Sequence, residues 1–148
     1  MFVGDLGFRS FRLDSSNIRA WDPRPVDLDR QLLDAVEHIK VDRSELDVLY
    51  ELILKFGIDL TVPVTSRAVR GLVVHSVGTG ALLVCLAPRI GAAEVEGLAL
   101  DLVAWHRELA PAVSTTVVFR DSAFDGDVAK SNLTAILDQH GLHAVRSL

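Results

Sequence analysis

The chain has 148 residues, 49% of them apolar and 24% charged, with a formal net charge of −5 from 15 basic against 20 acidic side chains. A chain of this length fits one domain with its own core, so residues 1–148 are expected to fold as a unit. No apolar run approaches the roughly 18 residues that span a bilayer, and no basic arginine cluster offers a phosphate track, which disfavours direct DNA binding by the chain alone.

The opening Met1 to Gly7 lacks a basic start and a long apolar stretch, so it does not read as a secretory signal, and a cytoplasmic location is expected. The single cysteine, Cys85, excludes an intrachain disulfide and agrees with a reducing compartment. Gly7 to Asp14 alternates between two faces and predicts a short strand. Pro23 and Pro25 break the chain, and Leu28, Leu32, Ala35, Val36 and Ile39 then share one helical face, predicting a helix over Val26 to Ile39. Asp42 with Glu45 suggests a capping box at the start of a second helix. Its apolar stripe is Leu46, Leu49, Ile53 and Phe56, and Gly57 is placed to end it. The polar segment Ile58 to Arg67, with Pro63, reads as a linker between a helical part (1–60) and a hairpin-containing α/β part (61–148).

Two β-rich runs, Val69 to Val77 and Ala81 to Ala87, flank Gly78-Thr79-Gly80 and predict a hairpin. Helical spacing of Val95, Leu98, Leu102, Trp105 and Leu109 predicts a helix over Gly91 to Leu109, stopped by Pro111. A strand over Ser114 to Arg120, a helix over Asp125 to His140 carrying Val128, Ile136 and Leu137, and a final strand over His143 to Leu148 complete the order. The expected fold class is α/β (α+β): a mixed sheet containing a β-hairpin, flanked by about four helices.

Two strands end alike, in Arg12-Leu13-Asp14-Ser15 and Arg120-Asp121-Ser122, with Asp125 soon after. Ligands gather at the carboxyl ends of strands in open α/β sheets, so Asp14, Asp121 and Asp125 could hold magnesium for phosphoryl transfer or nuclease-like chemistry. The competing reading places these carboxylates in turns and caps. Gly78-x-Gly80 joins strand to strand and is a turn, since a phosphate loop would lead into a helix. Cys85 reads as a core residue, and His140-x-x-His143 straddles a helix end and is poorly aligned for a metal. No Ser-His-Asp arrangement follows from spacing. Trp21 and Trp105 read as packing anchors or, if exposed, as a partner surface.

Gly7 to Pro23, Gly-Phe-Arg-Ser-Phe-Arg-Leu-Asp-Ser-Ser-Asn-Ile-Arg-Ala-Trp-Asp-Pro, resembles a segment of type III restriction-modification systems. It is similar to the stretch just after the catalytic domain of their modification subunit, an adenine-specific DNA methyltransferase. The similarity extends through Asp34-Ala35-Val36, Ile39-Lys40, Asp42-Arg43, Leu49-Tyr50-Glu51 and Lys55 to Leu60. It continues in Ser76-Val77-Gly78, Gly80-Ala81-Leu82, Val118 to Ser122 with Phe124, Asp127-x-x-Lys130-x-Asn132 and Val145-Arg146-Ser147. The resemblance implies an accessory C-terminal domain whose partners are the catalytic part of the same subunit, a second copy and the restriction subunit, with DNA reached only through the complex. S-adenosylmethionine is implied for the parent enzyme. The family's Asp-Pro-Pro-Tyr and Phe-x-Gly-x-Gly motifs are absent, since Asp22-Pro23-Arg24-Pro25 and Phe2-Val3-Gly4-Asp5-Leu6-Gly7 match neither, so no catalytic or cofactor residue carries over.

Overall fold

A computed structural model describes residues 7–18 and 39–148 of the chain. The helix expected over Val26 to Ile39 falls outside these apart from Ile39, which makes an isolated antiparallel bridge with Ile18. The described elements are α1 (Glu45–Lys55), β1 (Val64–Val69), β2 (Leu72–Val77), β3 (Leu82–Cys85), α2 (Val95–Leu109), β4 (Thr116–Phe119), a 3-10 turn (Asp121–Ala123), α3 (Asp127–Gln139) and β5 (Ala144–Ser147).

The five strands form one mixed sheet in sequence order, with β1, β2 and β3 antiparallel and β3, β4 and β5 parallel. Side chains of a strand alternate between faces, and β3 shows the consequence. Leu83 and Cys85 join the core under α2 and α3, whereas Leu82 and Val84 join the core under α1. The fold is therefore three-layered: α1 covers one face, and the two crossover helices cover the other. Burial on both faces explains why β3 and β4 are short, nearly unbroken apolar runs.

Several elements differ from their sequence expectation. Gly7 to Asp14 forms no strand. It is pinned by side chains, with the Arg9 guanidinium donating to the Leu60 and Val62 carbonyls at 2.7 and 3.0 Å, and the Phe11 ring centroid 4.8 Å from that of Tyr50. The segment expected as a linker contains most of β1, an edge strand whose central Thr65, Ser66 and Arg67 are polar and exposed. The long run Val69 to Val77 is split by a two-residue turn in which Arg70 and Gly71 both have positive φ, 51° and 81°. That is the backbone of a primed hairpin turn, which matches the twist of the flanking strands. Arg70 reaches onto α2, donating from Nε to Asp101 at 2.9 Å across the bare Cα of Gly97.

The capping box of α1 lies two residues later than expected. Ser44 is the N-cap: its hydroxyl accepts from the Asp47 N–H at 3.2 Å, and the Asp47 carboxylate accepts from the Ser44 N–H at 2.8 Å. The buried stripe is Val48, Leu49, Leu52 and Ile53, leaving Leu46 and Phe56 exposed. The α2 helix begins at Val95, because Gly91 to Glu94 closes a turn in which the Glu94 carboxylate accepts from the Gly91 N–H. In α3 the buried residues are Ala129, Leu133 and Leu137, whereas Val128 is exposed. Gly57 and Gly141 end their helices in the left-handed conformation, as their positions suggest.

Candidate functional site

Asp14, Ser15, Ser16 and Asn17 fold back onto α1 and the residues before it as a polar clamp. Arg43 donates to Asp14 at 3.0 Å and to the Ser15 hydroxyl at 3.1 Å, and Lys40 donates to the same hydroxyl at 3.0 Å. The Glu51 carboxylate accepts from the Ser16 hydroxyl at 2.5 Å, the Asn17 N–H at 2.6 Å and Lys55 at 2.9 Å. Burial alone would push the Glu51 carboxyl up, but the hydrogen bonds from Ser16, Lys55 and the Asn17 N–H outweigh it and hold the group below its ordinary value.

Asp14 is held down to about 2 by its hydrogen bond from Arg43, assisted by the Ser15 N–H. A depressed carboxyl pKa stabilises the fold above the ordinary value and loses that contribution as pH falls through the folded value. The clamp is therefore expected to loosen as pH drops from about 4 toward about 2. A carboxyl-carbon NMR titration should place the Asp14 midpoint near 2, and Arg43→Gln should raise it toward 3.8.

Asp121 and Asp125 lie beyond the carboxyl end of β4. Asp121 accepts from Lys130 of α3, which also donates to the Ser147 hydroxyl at 3.0 Å, so the ends of β4 and β5 are tied to that helix. Asp125 pairs with Arg89 at 3.3 Å. Each of the three carboxylates considered for magnesium thus meets a cation of its own. Among the described residues, no cluster of three or more acidic, histidine or cysteine side chains could hold a metal ion. Trp105 is buried between α2 and the sheet, with the Arg67 guanidinium 4.9 Å above its ring, and Trp21 lies outside the described residues. Cys85 is buried in β3, where loss of hydration pushes its thiol up. The pair His140 and His143 is separated by the helix end at Gly141, and His143 Nδ1 lies 2.5 Å from Asp138.

One arrangement escaped the sequence reading. In the β1–β2 hairpin Ser66 stands opposite His75, and the Ser66 hydroxyl lies 2.8 Å from His75 Nδ1. On the far side of the ring, Nε2 lies 2.9 Å from the carboxylate of Glu45, the first residue of α1. The ring is 6% exposed and the Glu45 side chain 42%, while Ser66 is open to solvent. A carboxylate can only accept, so Nε2 carries a proton, and in that neutral tautomer Nδ1 is left to accept from the serine hydroxyl. Locating the Arg70-Gly71 turn was the missing signal, because Ser66 and His75 flank it symmetrically.

Comparison with protein-family models, with curated proteins and with solved structures found no match. No helix among the described residues is long and apolar enough to cross a membrane.

Proposed function

We propose that the chain is a C-terminal, non-catalytic domain of a type III adenine-N6 DNA methyltransferase subunit, supporting homodimerisation or docking of the restriction subunit. The observation that carries this reading is how the residues of the resemblance meet in space. Asp14, Ser15, Ser16 and Asn17 bond to Lys40, Arg43, Glu51 and, through Glu51, Lys55, all of which belong to the stretches of similarity between Ile39 and Leu60. Asp121, Lys130 and Ser147 come from three further blocks and also converge. A shared pattern of residues spent on mutual anchoring fits a structural module. Magnesium-dependent chemistry at Asp14, Asp121 and Asp125 has less support, since each carboxylate already has a cationic partner.

The purified chain, incubated with tritiated S-adenosylmethionine and duplex DNA, is expected to transfer no methyl group; measurable incorporation overturns the assignment. Sedimentation velocity should show self-association, or complex formation with the restriction subunit of such a system. A monomer indifferent to that subunit would remove the assembly role.

A further inference from the structure

We propose that Ser66, His75 and Glu45 form a nucleophilic relay able to take an acyl group from small activated esters, a chemistry separate from the methyl transfer that the domain is proposed to lack and independent of the assembly role above. Three features carry the inference. The hydrogen-bond chain runs unbroken from the Ser66 hydroxyl through His75 to Glu45, at 2.8 and 2.9 Å. The donor and acceptor roles it imposes are those of an activated serine, with the base facing the hydroxyl and a carboxylate holding the opposite N–H. The buried ring is fixed between strand and helix, while Ser66 itself is an exposed residue.

The hairpin register adds a donor for the reacting carbonyl. Backbone hydrogen bonds alternate along an antiparallel pair, and the Gly78 N–H bonds the Pro63 carbonyl at 2.9 Å, which makes that a bonded pair. Ser66 and His75, three positions further along, are then a non-bonded pair, whose side chains approach more closely. The Ser66 N–H consequently points off the side of β1 that pairs with no strand among the described residues. It can donate to the carbonyl oxygen as negative charge develops there.

In the reaction, Ser66 Oγ attacks the ester carbonyl carbon and its proton passes to His75 Nδ1. The bond to the leaving oxygen breaks, and that oxygen takes the proton from His75. Water, deprotonated by His75, then releases the acid and restores the hydroxyl. Glu45 is a positioning residue, holding the ring and balancing the imidazolium.

The test treats the whole chain with a fluorophosphonate, in which Ser66 Oγ forms a P–O bond as fluoride leaves, and reads the adduct by intact mass and peptide mapping. A single adduct on the Ser66 peptide is expected, absent in Ser66→Ala and formed at least about tenfold more slowly in Glu45→Gln. Glu45 is partly exposed, so this variant keeps the test usable should a His75 variant not fold. No adduct on the native chain, an adduct that survives Ser66→Ala, or an unchanged rate in Glu45→Gln would each overturn the proposal. None of these outcomes bears on methyl transfer or self-association, so the two readings fail separately.

Discussion

Phe119→Ala is expected to lower the free energy of unfolding by about 3–5 kcal/mol, a large share of the roughly 5–15 kcal/mol that a domain possesses. Phe119 ends β4, next to both β3 and β5, and is 1% exposed. Its ring belongs to the core beneath α2 and α3 and meets Phe124 edge to face, with centroids 5.8 Å apart. Truncation removes the transfer free energy of the ring and leaves a cavity bounded by strands on both sides, which cannot close without breaking the ladder. The Phe119 carbonyl also accepts from the Leu148 N–H at 2.9 Å, so a shift of β4 would disturb the end of β5. Urea unfolding followed by circular dichroism should show a lower midpoint with an unchanged slope. Val128→Ala, on the solvent side of α3, should stay within about 0.5 kcal/mol. A loss below 1 kcal/mol at Phe119 would contradict the two-sided burial of β4.

The readable parts of the fold were those where one local pattern decides the structure. Leu98, Leu102 and Trp105 recur at helical spacing and are buried in α2, and the glycines at 57 and 141 stop helices because of their own conformational freedom. The unreadable parts depended on distant neighbours. Thr65, Ser66 and Arg67 look like loop residues because an edge strand exposes its side chains, and only the pairing with β2 makes them a strand. The Arg70-Gly71 turn hides because a left-handed conformation is uncommon for arginine. Gly7 to Asp14 has the alternation of a strand, yet its anchors are Arg9 on the Leu60 and Val62 carbonyls and Phe11 on Tyr50, with no ladder beside it among the described residues.

The same division applies to the sites. Asp14 and Asp121 were visible as a repeated sequence motif, although only Asp121 follows a strand, and their partners, Arg43 and Lys130, come from distant parts of the chain. Ser66 and His75 required the turn position, and Glu45 required knowing that α1 lies on that face of the sheet. Spacing along the chain carries none of that.

Glu51→Ala is expected to cost about 1–3 kcal/mol and to release the clamp while leaving the sheet intact. The size follows from what is left behind. Asn17 is 9% exposed, and its backbone N–H has the Glu51 carboxylate as its acceptor. Without that acceptor a nearly buried donor goes unsatisfied, which costs more than the modest net gain of an ordinary hydrogen bond. The Ser16 hydroxyl and Lys55 lose the same partner but can turn to water, Lys55 being half exposed. Two bonds still hold Asn17: its side-chain amide donates to the Asp47 carbonyl at 2.9 Å, and its own carbonyl accepts from the Lys40 N–H at 2.9 Å. The segment should therefore open locally, not unfold the domain. Hydrogen exchange should quicken at Asn17 and Ile18 while β3 and β4 keep their protection, and Glu51→Gln should fall between, since an amide retains one accepting oxygen. Unchanged exchange at Asn17 would mean that the remaining bonds, with Arg43, Lys40 and the Asp47 carbonyl, suffice to hold the segment. If self-association also disappears in Glu51→Ala with the sheet protected, the partner surface runs through the clamp; if association persists, it lies elsewhere on the three-layer body.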